Sequence, residues 1–398
     1  PISSAPIGYA NSQYLIPNIY STTLWQSPSG SLFSLYQLMK PAVPAAVLKA
    51  FISDKDGIPV EEIEHLRVEQ IGNGLINHSY KITCTNHADF FLQQINTAVF
   101  EHPQWLQHNY MEIWQFAEFE FTGLKLPAPI FCGHQDTLYN DHEGGYWRAF
   151  EFIENSKTLA VAQKPAQARA TARAFARFTL AFEEMNTRLL KEVIPGFHDL
   201  GLRYRQFEEA LQTEHYERMA VSRELISELK KRERYRHFYE IITESGEFPK
   251  RVMHHDAKIS NVLFHEKTGK VICPVDYDTV MPGYYFSDLG DMIRSMVSAE
   301  DENQLTEPVI RKEFYEAIVN GYTDVLGGIL SSSERKYIHA AGLLMIYMQA
   351  LRFLSDYLNG DIYYQVIRPE QNLERARNQY SLLRNLENFL QEEYQFVI

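Results

Sequence analysis

One short stretch constrains this chain more than any other. Residues 251–294 read RVMHHDAKISNVLFHEKTGKVICPVDYDTVMPGYYFSDLGDMIR. Their first half sets His254, Asp256, Lys258 and Asn261 in the spacing H-x-D-x-K-x-x-N, ahead of the apolar run Val262-Leu263-Phe264. Their second half is an apolar run from Val271 to Val275 that ends on Asp276. Two short strands joined by a turn at Lys267-Thr268-Gly269 fit this pattern. Asn261 and Asp276 then stand at neighbouring ends of a small hairpin, with Asp256 on the loop before it. Two carboxylates, an amide and an ammonium are predicted to converge on one point.

Transfer of a phosphoryl group from a magnesium nucleotide needs such a set. It requires little covalent work from a protein; the acceptor hydroxyl must be aimed and the phosphate charge neutralised. Asp256 is the candidate base or orienting group for the hydroxyl. Lys258, two residues on, can place a point charge on the transferring group. Asn261 and Asp276 offer the hard oxygen ligands that magnesium takes alongside phosphate oxygens and water. His254 reads as a packing and hydrogen-bonding strut.

The loop resembles the catalytic loop of the protein-kinase-like superfamily. The fuller string, with VDYDTVMPGYYFSDLGDMIR, is most similar to the aminoglycoside-phosphotransferase and choline-kinase branch, and within it to the N-acetylhexosamine 1-kinase group. Residues 91–96 (FLQQIN), 146–154 (YWRAFEFIE) and 352–361 (RFLSDYLNGD) carry the same resemblance, which spans roughly residues 60 to 390. It implies an α+β, bilobal protein-kinase-like fold with a small antiparallel β-sheet N-lobe and a mostly helical C-lobe. ATP and Mg2+ would lie in the cleft between them. The implied divisions are an N-terminal extension (1–45), a nucleotide-binding lobe (46–153) and a catalytic and substrate-binding lobe (154–398). The implied activity is phosphorylation of a sugar hydroxyl, the anomeric hydroxyl of an N-acetylhexosamine. An aminoglycoside or amino alcohol is the alternative acceptor, and an inactive nucleotide-binding pseudokinase the alternative of another class.

The remaining expectations follow the chain. Net charge is −13, against the basic footprint that nucleic acid or an anionic membrane demands. Three scattered cysteines imply no disulfide framework and no zinc site, and no apolar run is long enough to span a membrane. A cytoplasmic monomer or homodimer is expected, with nucleotide and a small sugar as its partners. A helix is predicted near Val43 to Ile52. The strand–turn–strand from Val68 to Thr83 contains Gly72 and Gly74, whose turn could bring backbone amides close to phosphates. On the third strand, Asp89 to Ile95, kinases carry a lysine; this chain has Gln93 and Gln94. With that charge missing, Lys258 becomes the expected protein cation near the phosphates. Pro103 to Gly123 reads as a helix in which Glu112 or Glu120 is open between the place of the kinase helix glutamate and a solvated surface carboxylate, the missing lysine favouring the second. Glu151 and Ile153 fall at the hinge by position, where backbone groups would meet adenine.

Phe175, Phe178, Phe182, Met185 and Leu189 recur at helical spacing and predict one amphipathic helix. Leu202 to Leu211 and Ser222 to Thr243 predict two more, with Lys230 to Arg234 as a solvated face. His198 is open between a loop histidine and a ligand. Asp278 is open between a second metal ligand and a loop-shaping residue. The resemblance makes Asp288 a brace for the catalytic loop. A long helix is expected from Ser332, opened by a capping box at Ser331 and Glu334. At its far end Arg352, Asp356 and Asn359 share a polar face. That face is open between a surface Arg352–Asp356 pair and a wall of the sugar pocket.

Overall fold

The computed structural model describes residues 43–398 apart from 53–65, 72–75, 86–87 and positions 121, 134, 214, 301 and 305. Nearly all of the expected extension, and both Gly72 and Gly74, lie outside the described residues.

Antiparallel pairing organises the first lobe. Its strands are β1 (Arg67–Gln70), β2 (His78–Thr83), β3 (Phe90–Ile95), β4 (Pro129–Ile130), β5 (Tyr139–Asn140) and β6 (Tyr146–Glu151). They form one sheet in the order β1-β2-β3-β6-β4, with β5 also paired to β6. The long β3–β6 ladder sets Gln93 opposite Arg148 and Leu92 opposite Ala149. Alternation along β2 and β3 turns Tyr80, Ile82, Phe90 and Leu92 toward a common core. Helix α1 (Ala45–Ile52) closes it with Val47, Leu48, Phe51 and Ile52.

Helix α2 (Pro103–Phe119) follows β3. It turns Asn109 inward, where Nδ2 donates to the carbonyls of Val280 and Lys191, each at 2.8 Å.

Short strands also follow: β7 (Ser156–Lys157), β8 (Arg251–Met253), β9 (Val262–His265), β10 (Val271–Pro274) and β11 (Met281–Gly283). The β9–β10 hairpin turns at Gly269, whose φ of +65° is the left-handed backbone that favours glycine. Strand β8 pairs with β11, so the segments before Asp256 and after Asp278 are stitched together.

The rest is helical: α3 (Pro165–Ala181), α4 (Leu200–Ala210), α5 (Tyr216–Lys230), α6 (Arg234–Glu244), α7 (Phe286–Met296), α8 (Lys312–Leu326), α9 (Ser332–Lys336), α10 (Ala340–Leu358) and α11 (Gln371–Tyr394). The buried α10, flanked by α7 and α11, is the centre of this lobe. Gly290 permits the close approach of α7, since a Cβ there would collide with the Ala341 carbonyl. Among the described residues no helix is long and apolar enough to cross a membrane.

Three helices differ from expectation, each for a local reason. The aromatic stripe is not one helix: α3 stops at Ala181, Phe182 caps it, and Leu189 ends a separate turn with its side chain half exposed. The helix expected from Ser222 to Thr243 is broken between α5 and α6. The charged run at the break is not merely a solvated face, because Arg232 reaches Glu387 on α11 at 2.9 Å and Glu228 at 3.0 Å. The helix from Ser332 ends after one turn and α10 begins anew at Ala340. Its capping box is present, and the same Glu334 carboxylate takes Arg251 in a two-pronged pair at 2.5 and 2.9 Å.

Candidate active site

The loop after β8 is held from below by backbone contacts. The Asp288 carboxylate, at the start of α7, accepts the amides of His254 (2.9 Å) and His255 (2.7 Å). Burial nonetheless pushes Asp288 up to about 7. The buried His254 ring lies edge-on to Phe175 and bonds through Nε2 to the Val275 carbonyl at 3.0 Å. Burial lowers its pKa to about 4, so it is a neutral strap between the loop and the end of β10. The Thr279 hydroxyl donates to the His254 carbonyl at 2.7 Å. His255 adopts φ +64°, which turns the chain, and Asp256 beyond it is half-buried.

Three side chains meet at Asp256. Lys258 Nζ lies 3.0 Å from Oδ2, and Asn261 Nδ2 donates to the same oxygen at 2.7 Å and to the Asp256 carbonyl at 2.9 Å. Burial raises the Asp256 pKa, but Lys258, His254 and the two hydrogen bonds outweigh it and hold the carboxyl below its usual range. The Asp256 charge in turn raises Lys258. The pair is therefore an ionised carboxylate beside an ammonium at neutral pH. With Nδ2 turned to Asp256, Asn261 presents Oδ1 as its remaining acceptor. The Val275 amide donates to the Asn261 carbonyl at 2.9 Å, which brings Asp276 alongside.

Asp276 stands at φ +66°, outside the usual range of a non-glycine residue. Its side chain opens to the cleft. Surrounding protein, then the Asp278 and Asp256 carboxylates, push it up to about 7. Tyr277 points the opposite way, stacked on Phe178 at 5.7 Å with its hydroxyl on the Pro274 carbonyl at 2.5 Å.

Asp278 faces the sheet. One oxygen is ion-paired with Arg148, and the other accepts from Asn77 Nδ2 at 2.5 Å. Asn77 is itself fixed, its Oδ1 accepting the Asn96 amide at 2.8 Å. Between the two readings of Asp278, the geometry is that of a loop-shaping residue. Arg148 also donates to Gln93 Oε1 from Nε (3.0 Å) and Nη2 (2.5 Å), and Gln93 Nε2 donates to Ser79 at 3.1 Å. Strand alternation puts Gln94 on the other face, beside the loop at Asp141 and Gly145. The signal for Arg148 in the sequence is an arginine between a tryptophan and an alanine, inside a strand whose other interior residues are apolar.

Glu151 and Ile153 lie where β6 leaves the sheet. The Glu151 amide donates to the Ala128 carbonyl at 2.8 Å, its carboxylate faces Lys125 at 3.5 Å, and the Ile153 carbonyl accepts from Ser156 at 2.5 Å. Glu112 of α2 is half-buried, 3.9 Å from His108.

The far end of α10 does not present the three-residue polar face. The Asp356 carboxylate accepts the amides of Ile362 (2.9 Å), Tyr363 (2.7 Å) and Tyr364 (2.9 Å), and Asn372 Nδ2 at 2.9 Å. It organises the loop after α10 and ties it to the start of α11. Asn359 is the exposed C-cap of the helix. Arg352 turns away from both, bonding Gln349 at 3.1 Å and lying 5.2 to 5.7 Å from the rings of Phe197, Tyr363 and Tyr364.

Around Phe197 the structure gathers residues that spacing could not connect. His198 stacks on it at 4.5 Å, and Arg203 Nη2 donates to its carbonyl at 3.1 Å. His198 lies 5.2 Å from His255, the neighbour of Asp256. Among the described residues Arg203 and Arg352 form no ion pair, and His198 Nδ1 and Arg203 Nε are buried without a hydrogen-bond partner. Burial and then the Arg352 charge lower Arg203 to about 10, and burial with His255 and both arginines holds His198 well below its ordinary value.

Comparison with known proteins fits this geometry. An aminoglycoside phosphotransferase from Alicyclobacillus acidocaldarius superposes with a TM-score of 0.58 at 13% identity, covering 89% of this chain and 98% of that one. A microcompartment-associated aminopropanol kinase gives 0.53 at 13% identity over 87% and 98%. A choline kinase from Cryptosporidium parvum gives 0.52 at 14% identity over 87% and 97%. These likenesses establish the kinase-like fold. The profile described as the phosphotransferase enzyme family (APH) matches residues 67–324, well over half of the chain. The match takes in the sheet, the loop after β8 and the β9–β10 hairpin alike, and the chain belongs to the phosphotransferase enzyme family.

Proposed function

We propose that this chain transfers the γ-phosphoryl group of ATP to a hydroxyl of a small sugar, the anomeric hydroxyl of an N-acetylhexosamine being the acceptor. The observation that carries the chemistry is Asp256, ionised and held at 3.0 and 2.7 Å by Lys258 and Asn261. In that position it can take the acceptor proton as the new O–P bond forms and the bond to the ADP oxygen breaks. Lys258 follows the charge on the transferring oxygens.

The donor set fits a magnesium ion. Asn261 Oδ1 and the Asp276 carboxylate are hard oxygens on adjoining segments, joined by the hydrogen bond from the Val275 amide to the Asn261 carbonyl. Magnesium is commonly held by one or two carboxylates together with phosphate oxygens and water, so the absence of any group of three acidic, histidine or cysteine ligands among the described residues suits a site completed by the nucleotide. Once bound, the ion would neutralise the phosphate oxygens and drive Asp276 into its charged form.

The acceptor assignment rests on the cluster around Phe197. His198, Arg203 and Arg352 are donors close to the loop that carries Asp256. Hydroxyl and acetamido oxygens suit these donors. Intact Asp256, Asn261 and Asp276 argue against an inactive pseudokinase.

The test is an acceptor panel with ADP release as readout: N-acetylhexosamines, aminoglycosides and choline, each with ATP and magnesium. Turnover with an N-acetylhexosamine is expected. Turnover with an aminoglycoside or choline alone would overturn the acceptor while leaving the chemistry in place.

A further inference from the structure

We propose that Arg148 is a positioning residue for the metal-side aspartate. Acting through Asp278, it sets the geometry of Asp276 from the rigid sheet. The inference rests on the nucleotide–metal reading above and goes beyond it. The guanidinium is almost fully buried, with 4% of the side chain exposed, and Asp278 is equally hidden at 5%. A buried ion pair is weak evidence for stability, because well-packed apolar residues of similar volume often serve as well. The pair therefore asks for another explanation, and its geometry supplies one.

Arg148 sits opposite Gln93 in the longest ladder of the sheet. The planar guanidinium bonds Gln93 through both Nε and Nη2, which fixes its plane, and Nη2 also meets Asp278. Asn77, at the head of β2, holds the second Asp278 oxygen. Two side chains, Arg148 of β6 and Asn77 just before β2, thus grip a carboxylate that follows Asp276 by two residues, and Gln93 of β3 holds the first of them. Asp276 keeps φ +66°, a conformation that persists in a non-glycine residue where its surroundings over-determine it. On one side the buried Tyr277 ring anchors the turn; on the other, Arg148 and Asn77 do so through Asp278. No cation stands on β3 at this level. The charge comes from the adjoining strand, and it meets the metal loop instead of lying free in the cleft.

The test measures binding of ADP to the full chain by calorimetry, with and without Mn2+, in four proteins: wild type, Arg148→Met, Arg148→Lys and the double variant Arg148→Met/Asp278→Leu. Arg148→Met should bind Mn2+·ADP about tenfold or more weakly, in line with the loss of a residue that orients a metal ligand, while metal-free ADP binds as in wild type. The double variant should regain the thermal stability that Arg148→Met loses, yet not the metal-dependent affinity. Recovery of both would reduce the pair to packing and overturn the proposal. An equal loss of affinity with and without metal would also overturn it, since Arg148 would then touch the nucleotide itself. Arg148→Lys keeps the charge but not the two-pronged grip; in case the methionine variants do not fold, a lysine variant with wild-type Mn2+·ADP affinity would be the contradicting result. Wild-type protein that binds neither form of ADP would overturn the nucleotide reading and this inference with it.

Discussion

The loop before the β9–β10 hairpin and the far end of α10 both contain an aspartate with several polar neighbours, yet the two aspartates differ in what surrounds them. Asp256 has one oxygen shared by Lys258 and Asn261, and it faces the cleft. Asp356 is buried, with three backbone amides and Asn372 around its two oxygens. A carboxylate with acceptor capacity toward a cleft can serve a substrate; one saturated by its own chain serves the fold. The difference does not lie in residue type or in spacing from the nearest charge. It lies in what the following segment offers: a hairpin that leaves the cleft side open, or a loop that folds back and donates its amides.

Variants at these positions sharpen that contrast. The largest effect is expected at Asp276→Ala, where loss of a hard oxygen ligand should abolish magnesium-dependent ATP binding and turnover while circular dichroism stays native. Tight magnesium-dependent ATP binding by that folded variant would remove Asp276 from the metal site. Next, Lys258→Met should lower turnover on the order of a hundredfold with a smaller change in ATP affinity, because its charge acts mainly as the bond breaks. Asp356→Ala should behave as a stability variant: a lower thermal midpoint, reflecting a loss of roughly 2–4 kcal/mol from four stranded donors, with the acceptor KM unchanged in the folded fraction. A raised acceptor KM at native stability would return Asp356 to the sugar pocket. The smallest effect is expected at Gln94→Ala, which removes a neutral group from the face of β3 turned away from Arg148 and should leave kinetics within a few-fold of wild type. Gln93→Ala is set apart from it, since Gln93 holds the Arg148 guanidinium.

The hairpin was legible because its determinants are local. A run of apolar residues on each side of Lys267-Thr268-Gly269 dictates the turn, and the turn dictates which residues stand at its ends. The Asp288 brace was reached by resemblance, and the geometry gives it a physical basis in two amide hydrogen bonds across about one hairpin's length of chain. What could not be read were pairings across long separations. Arg148 and Asp278 are 130 residues apart, and no periodicity in either strand signals the other. The cluster of Phe197, His198, Arg203 and Arg352 joins a loop, the start of α4 and the end of α10, so His198 stayed ambiguous on sequence alone. Helix ends failed for a related reason: apolar spacing continued past Ala181, while the backbone turned at Phe182 to satisfy its own amide.

The central claim is that Asp256 performs the hydroxyl-directed step of phosphoryl transfer, and Asp256→Asn tests it most directly. The substitution keeps the shape and removes the base. Measured on the acceptor that the panel identifies, turnover should fall by roughly two to four orders of magnitude, with magnesium–ATP affinity close to wild type. Near-native turnover by the folded Asp256→Asn protein would contradict the account.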